Sequence, residues 1–453
     1  MIKIKFTSNQ QNNFSEGPVW KCILAQAVPL TVAQLVQLLY NVVDRIYLGH
    51  LGTESSLALT GVGLTFPIIT LIMAFAALFG MGGVPLFGMA RGSGRIQEAE
   101  KILGNSFALL FGSSFVLMGV CYLFCRPILF LFGASEASYV YAGAYLRIYL
   151  LGTAFSMLTT GLNGYINAQG FAKVGMKTTL IGAVLNIILD PVFIFVMDMG
   201  VSGAALATVI SQMVSAAWVL RFLTGPKAAV GLKRACIGLD QRITAKILKL
   251  GTANFVMHGS NCLVQVACNT MLQLYGGDLY VGIMTVLNSV REVTSLPISG
   301  IVSGAQPVIS YNYGAGANDR VKAGIRFNTL FGAGYTLAAW AVIVAVPLFW
   351  FRIFSDDPQL AEMGVGALRL YFFGFVFMAF QFAGQSTFQA LGDARHAICF
   401  SLLRKVVIVV PLTLVLPRLG LGVNGVFLAE PISNVIGGLA CYITMRLTVY
   451  RKL

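Results

Sequence analysis

The sequence predicts an all-α polytopic membrane protein in which twelve transmembrane helices form two six-helix bundles related by an internal repeat. Of its 453 residues, 57% are hydrophobic and only 11% are charged, whereas soluble domains carry about 25% charged residues. The mean hydropathy of +0.79 also indicates a membrane protein. In addition, a single offset along the chain aligns its first half with its second half.

Twelve apolar stretches are long enough to cross a bilayer, which takes about 20 residues. They are centred near residues 34, 70, 113, 153, 186, 212, 260, 292, 338, 375, 407 and 435. Together they fill the chain, so we expect no separate soluble domain. The first stretch is too long for a secretory signal, and we expect it to remain in the protein.

The basic residues predict how the chain crosses the membrane. The net charge is +14, but the lysines and arginines recur in alternate connections and form no single face, so nucleic-acid binding is not expected. The even-numbered connections, of which the most basic spans residues 221–246, are predicted to be cytoplasmic. Both termini are then cytoplasmic in a multi-pass protein of the cell membrane.

An internal repeat predicts the two bundles. The stretch "GGVPLFGMARGSG" (82–94) aligns with "GAQPVISYNYGAG" (304–316) at an offset of 222 residues. The same offset continues downstream and pairs further glycines, namely Gly170 with Gly392 and Gly200 with Gly422. We therefore predict an N-terminal six-helix lobe at 1–224, a cytoplasmic basic linker at 225–242 and a C-terminal six-helix lobe at 243–453, an architecture typical of carriers.

The first span carries a polar face. Gln37, Tyr40 and Asp44 are spaced by three and four residues, which places them on one side of a helix. An ionisable residue inside the bilayer costs about 2.5 to 3.5 kcal/mol on insertion scales, so Asp44 is a candidate functional residue. The alternative is that Asp44 lies at the outer interface beside Arg45 and anchors the helix end.

The fifth and sixth spans predict a coupling-ion site together with the first. Asn186 and Asp190 are four residues apart, and Thr208 follows in the next span. Their oxygens suit either a hard cation such as Na⁺ or a proton shared between two carboxylates. Pro191, beside Asp190, and Pro29, in the first span, remove backbone hydrogen bonds and are predicted hinges, unless they are ordinary membrane-helix prolines.

The second half carries different charges in its spans. Arg291 and Glu292 are adjacent in "LNSVREVTSLP", and Glu430 precedes a proline in "FLAEPISN". Adjacent residues point about 100° apart on a helix, so Arg291 and Glu292 need not pair with each other. Glu292 and Glu430 are therefore candidates for a cavity or substrate role, and buried structural pairing is the alternative.

Enzymes and ATP-driven pumps are poorly supported. The eight cysteines show no CxxC spacing and the three histidines form no ligand pair, so no metal beyond a possible Na⁺ is expected. The GSG and GAG loops lack the lysine of a nucleotide-binding loop. We therefore expect a protein that is not an enzyme and that needs no cofactor other than H⁺ or Na⁺ as coupling ion.

Several motifs carry a resemblance to a known family. "QLLYNVVDRIYLGHLG", "GYINAQGFAKVGMKTTLIGAVLNIILDPVFIF" and the two repeated loop motifs resemble the multidrug and toxic compound extrusion (MATE) family, over essentially the whole chain. Within that family the chain looks most like the DinF-like branch. The resemblance implies an antiporter that exports organic, often cationic and amphipathic compounds in exchange for inward H⁺ or Na⁺, by alternating access of two lobes, and we expect a monomer.

The resemblance also implies site residues in the N-terminal lobe. The coupling-ion positions correspond to Asp44, Asn186, Asp190 and Thr208, the cavity positions to Gln37, Tyr40 and Asn163, and the bending proline to Pro29. The C-terminal lobe departs from other branches because its seventh span has no Glu and its tenth has no Asp. The alternative within the same superfamily is a lipid-linked oligosaccharide flippase, which usually has fourteen spans and a basic cavity.

Overall fold

A computed structural model describes residues 14–49, 55–132, 134–354 and 358–453 of the chain. All regular secondary structure in these ranges is helical. The chain divides into two compact units, Met1–Gly251 and Thr252–Leu453. The boundaries predicted for the lobes and the linker stay predictions.

In its described residues, the first unit contains nine α-helices and the first turns of a tenth. The nine are α1 Val19–Gly49, α2 Ser55–Ala76, α3 Val84–Gly92, α4 Ile96–Leu123, α5 Cys125–Leu131, α6 Glu136–Leu151, α7 Thr153–Ala168, α8 Ala172–Pro191 and α9 Gly200–Thr224. Two of them continue as π-helical segments, α2 into Ala77–Met81 and α8 into Val192–Val196. A π-helical turn often occurs near functional sites.

The remaining helices complete the described chain. They are α10 Gln241–Gly314, α11 Asn318–Ala345, α12 Pro347–Phe354, α13 Pro358–Phe372, α14 Met378–Ala390, α15 Ala394–Leu402, α16 Val410–Val415 and α17 Gly422–Met445. A π-helical segment, Leu403–Val409, joins α15 to α16. Within α10 the backbone breaks at Gly277, whose φ of 68° is accessible to glycine at little cost.

The helices agree with the predicted membrane spans. Every predicted span centre falls in a helical segment. By length and composition, eight helical stretches in the described ranges qualify as spans, and a ninth qualifies if Ala361–Phe372 and Phe375–Ala390, bent by 40°, count as one. The predicted fourth span is divided near Gly152, and the predicted seventh and eighth spans both lie in α10.

The internal repeat is confirmed by the backbone itself. Gly94 and Gly316 have φ values of 74° and 71°, and Gly200 and Gly422 have values of 52° and 51°. Residues with a Cβ atom rarely adopt this left-handed conformation. The repeated glycines therefore mark equivalent helix ends in the two halves.

Close glycine contacts build the core of the first unit. The π-helical segment that follows α2 crosses α7, and a Cβ atom placed on Gly80 would lie 2.3 Å from the Cα atom of Gly161. Small residues allow such approaches between membrane helices, where packing contacts supply much of the association energy. Nearby, the rings of Phe87 and Tyr165 meet edge to face at 5.2 Å, and the Tyr165 hydroxyl hydrogen-bonds to Ser106.

The basic connection after α9 is attached to the first unit. The backbone N–H of Val230 donates to Gln169 Oε1 at 3.0 Å, and that of Asp240 donates to Asn105 Oδ1 at 2.7 Å. Lys233 forms an ion pair with Glu100 at 2.7 Å. This hydrogen bond and the nearby carboxylate charge raise the pKa of the exposed lysine. The connection is therefore an ordered part of the first unit.

The contact between Gly80 and Gly161 predicts a stability difference between two glycine substitutions. Gly80→Ala forces a backbone displacement, and we expect it to lower the free energy of unfolding by about 1 to 3 kcal/mol. Gly112→Ala is the matched control, because the added Cβ in α4 meets nothing within 4 Å. Thermal unfolding in detergent tests this, and equal melting temperatures for the two variants would contradict the packing described.

Candidate ion and substrate site

Helix α8 packs against both α1 and α9. This packing brings together three of the side chains that the sequence places in a coupling-ion site. Asn186, Asp190 and Thr208 are 1%, 0% and 3% exposed. A buried carboxylate requires polar partners, because removing it from water is otherwise costly.

The amide of Asn186 connects α8 to α9. Its Nδ2 donates to Asp190 Oδ1 at 3.3 Å and to Thr208 Oγ1 at 3.3 Å. The Thr208 hydroxyl in turn donates to the carbonyl of Ala204 at 3.0 Å. The three side chains therefore form one hydrogen-bonded group, and Asn186 holds the carboxylate of Asp190 in place.

The carboxyl groups of Asp190 and Asp44 are close enough to interact electrostatically. Asp190 Oδ2 is buried, and in the part of the chain that the structure describes no donor hydrogen-bonds to it. Two ionised carboxylates only accept hydrogen bonds and repel each other. A proton or a cation between them would relieve the repulsion, so the pair is chemically suited to exchange one.

A cavity of about 600 Å³ opens beside this pair within the first unit. Six of the predicted site residues line it, namely Gln37, Tyr40, Asp44, Asn163, Asn186 and Thr208. Asp190, which is hydrogen-bonded to Asn186, is not among the residues that line it. Among the described residues, the lining contains one carboxylate and no lysine, arginine or histidine, so this part of the cavity favours cationic and neutral groups.

Aromatic residues of α6 belong to the same cavity, and the sequence argument missed them. Tyr145 and Tyr149 are 5% and 2% exposed, and both line the cavity. Tyr40 and Thr208 line the cavity together with them. Tyr145 and Tyr149 are four residues apart in "GAYLRIYLLG", and this spacing is the pattern that could have identified them.

The two predicted hinge prolines lie within continuous helices. At Pro191 α8 remains helical and then widens into the π-helical segment Val192–Val196. Pro29 is buried in α1, three residues after Gln26, whose Nε2 donates to the Gly170 carbonyl at 3.1 Å. The part of α1 before Pro29 is therefore fixed to the loop that follows α7.

The two glutamates proposed for the C-terminal lobe have different surroundings. Glu292 is exposed and lines neither this cavity nor a smaller one in the second unit. Glu430 is buried and paired with cations from other helices, of which the closest is Lys405 at 2.8 Å. Lys405 was missed by the sequence argument, although a lysine in the apolar stretch "LLRKVVIVV" is an evident signal.

The comparison with known families decides the class of protein. A family model described as MatE matches residues 29–192 and 256–415, which is more than half of the chain. The chain belongs to the MatE family. It is thus a transporter of the multidrug and toxic compound extrusion type and not an enzyme.

Relatives and solved structures of MatE proteins are similar over nearly the whole chain. The multidrug export protein MepA of Staphylococcus aureus (strain NCTC 8325 / PS 47) is 24% identical over 444 residues, covering 96% of this chain and 95% of that protein. A crystal structure of MATE in the bent conformation has a TM-score of 0.92 at 23% identity, covering 98% of this chain and 99% of that one. A MOP superfamily transporter from Pyrococcus furiosus gives 0.91 at 23% identity, covering 99% and 100%.

The hydrogen bonds at Thr208 predict a difference between two threonine substitutions. Thr208→Val leaves the Asn186 amide with one acceptor fewer, and we expect it to lower the free energy of unfolding by about 1 kcal/mol. Thr178→Val is the matched control: Thr178 is equally buried and lines the same cavity, but its hydroxyl bonds only to the Val174 carbonyl of its own helix. Thermal unfolding in detergent measures both, and an equal loss of stability would contradict a special role for Thr208.

Proposed function

We propose that this MatE transporter exports organic, often cationic and amphipathic compounds from the cytoplasm in exchange for inward H⁺ or Na⁺. The observation that carries the proposal is the buried carboxylate of Asp190, which interacts with Asp44 at the wall of a cavity of about 600 Å³. The printed name of the staphylococcal relative, a multidrug export protein, supports the substrate class. The exchange requires no organic cofactor.

The lining of the cavity suits an amphipathic cation. Phe66, Met73 and Tyr40 supply aromatic and flexible apolar surface, while Asp44 supplies negative charge. Aromatic rings attract cations through their negatively charged faces, and methionine adapts to ligands of different shape. A drug of moderate size can therefore bind here without a dedicated set of hydrogen bonds.

The coupling ion would bind where Asp190, Asp44 and Asn186 meet. Carboxylate and amide oxygens are the ligands of hard cations such as Na⁺, and a carboxyl–carboxylate pair holds a proton equally well. Either ion would neutralise the negative charge to which a cationic drug would bind. Ion and drug then compete for the same charge, and this competition is the basis of an exchange mechanism.

The energetics set how many ions are needed. Export against a hundredfold gradient costs about 2.8 kcal/mol, and one entering monovalent cation gains about 2.3 kcal/mol per 100 mV. If one ion is exchanged for one monovalent drug cation, the electrical contributions cancel. Two carboxylates in one site allow two ions to enter, in which case the voltage would contribute to export.

The conformational part of the proposal is alternating access of the two lobes with bending of α1. Gln26 holds the beginning of α1, and Pro29 lacks the N–H that would bond to the carbonyl four residues earlier. Bending at Pro29 would move the face that carries Gln37, Tyr40 and Asp44. Pro191 and the adjoining π-helical turn would serve as the second adjustable point, next to Asp190.

The remaining parts of the proposal concern the setting of the transporter. The alternating distribution of basic connections supports a location in the cell membrane with both termini cytoplasmic, and we expect a monomer. The flippase alternative is less well supported, because the described residues that line the cavity include a carboxylate and no cationic side chain.

Replacing the buried carboxylate tests the coupling site. We expect Asp190→Asn to slow drug efflux by about tenfold or more, since a loss of about 1.4 kcal/mol already has that effect, while the protein still inserts into the membrane. Asp198→Asn is the matched control: it makes the same change at an exposed carboxylate of the same unit, and asparagine tolerates the φ of 52° there. Wild-type efflux by Asp190→Asn would contradict the site.

Imposed gradients identify the ion. A pH gradient and a sodium gradient are applied separately to proteoliposomes that contain the wild-type protein and a fluorescent drug cation. We expect one of the two gradients to drive transport of the drug, and that gradient identifies the coupling ion. Asp190→Asn should respond to neither gradient. Drug movement in the wild type that depends on neither gradient would contradict antiport altogether.

A further inference from the structure

The second unit contains a cluster of charges that the proposed export mechanism does not use. Arg291 of α10 and Arg404 and Lys405 of the segment before α16 all approach one oxygen, Oε1 of Glu430 in α17. The distances are 3.3 Å from Arg291, 3.8 Å from Arg404 and 2.8 Å from Lys405. We refer to these four residues as the Glu430 cluster.

The Glu430 cluster carries more positive than negative charge. Within the described ranges Glu430 is the one carboxylate in ion-pair contact with any of the three cations. The side chains of Glu430, Lys405 and Arg404 are only 9%, 6% and 16% exposed. A single carboxylate in contact balances one of the three cations, and the side chain of Arg291 is 32% exposed. The described contacts therefore leave a net positive charge in a partly buried place, where unbalanced charge is costly.

Neutral neighbours stabilise the cluster without balancing it. Arg404 donates to Asn434 Oδ1 at 2.8 Å, and the guanidinium of Arg291 lies over the ring of Tyr371 at 5.8 Å. Such dipoles and ring faces lower the energy of a cation. They add no negative charge, so a place for an anion remains.

A small cavity adjoins the charged groups. It has a volume of about 60 Å³, and Arg291, Lys405 and Glu430 all line it. Its other polar lining consists mainly of amides, those of Asn261, Gln265, Asn269 and Asn288. Asn288 Oδ1 accepts a hydrogen bond from the Tyr371 hydroxyl at 3.2 Å. This bond does not involve the Nδ2 group of Asn288, and amide N–H groups are suitable partners for an anion.

The size of the cavity limits what can bind. A single water needs about 10 to 15 Å³ of accessible volume, so about 60 Å³ accommodates a small ion with a few waters. A bulky organic acid or a lipid headgroup would not fit. Two cations and several amide donors around this volume suit a monovalent inorganic anion better than a neutral molecule.

We propose that the second unit binds a small monovalent inorganic anion, of the size of chloride, in this cavity beside Arg291 and Lys405. Glu430 lines the same cavity and pairs with the same cations, so it weakens the binding and sets the affinity. This site is separate from the pair of Asp190 and Asp44, and the proposal does not depend on drug export or on the coupling ion.

Chloride titration of the purified full-length protein tests the site. Thermal unfolding is measured in detergent as sodium chloride replaces sodium gluconate at constant ionic strength, gluconate being too large for the cavity. A ligand that binds the folded state raises the melting temperature with its concentration. We expect such a rise for the wild type and an apparent dissociation constant that can be fitted from it.

Substitutions with opposite expected signs separate an anion site from a structural ion-pair network. Lys405→Gln and Arg291→Gln should each weaken chloride binding by about tenfold or more, since about 1.4 kcal/mol of lost attraction has that effect. Glu430→Gln should instead strengthen it by a similar factor, because it removes the competing carboxylate. Lys405→Arg should retain binding. Arg395→Gln, at an exposed arginine of the same unit, should leave it unchanged.

Three results would overturn the proposal: a wild-type melting temperature that does not respond to chloride, a response that Lys405→Gln leaves intact, or weaker binding by Glu430→Gln. If a variant is too unstable to purify, chloride binding is measured directly by equilibrium dialysis against radiolabelled chloride. The wild type and Lys405→Arg are compared, and this measurement still decides whether the protein binds chloride. Asp190→Asn should keep the chloride response, so failure of this proposal is distinguishable from failure of the export mechanism.

Discussion

The hydrogen bonds of Asn186 are the interaction on which the candidate site depends. One amide group donates to Asp190 within α8 and to Thr208 on α9, so it fixes the carboxylate and joins two helices at once. In a low-dielectric interior a polar group without partners is costly. The requirement to satisfy this group therefore determines how α8 lies against α9, and the shape of the cavity follows from that packing.

The two units manage buried charge in opposite ways. In the first, two carboxylates interact with each other, and none of the described residues that line the cavity is a cation. In the second, one carboxylate is surrounded by three cations. A duplicated backbone, visible in the matching φ values of Gly94 and Gly316, thus supports two different electrostatic environments. The repeat conserves helix ends, while the polar side chains between them are free to diverge.

The spacing of residues along single helices allowed much of the fold and of the site to be predicted. Asn186 and Asp190, four apart, share a face because the helix period requires it, and the structure does join them. The partners of Glu430 were not predicted, because Lys405 comes from another helix and periodicity contains no information about contacts between helices. For the same reason the crossing at Gly80 and the attachment of the basic connection had to be observed.

The attachment of that connection has a consequence for dividing the protein into fragments. Its backbone donors at Val230 and Asp240 bond to Gln169 and Asn105 in the helical core, so these side chains have the connection as part of their folded surroundings. A gene split at the apparent polar boundary after α9 would leave both acceptors without their partners. To coexpress the two halves as separate polypeptides, the gene must therefore be divided after residue 240, so that the connection remains on the first polypeptide.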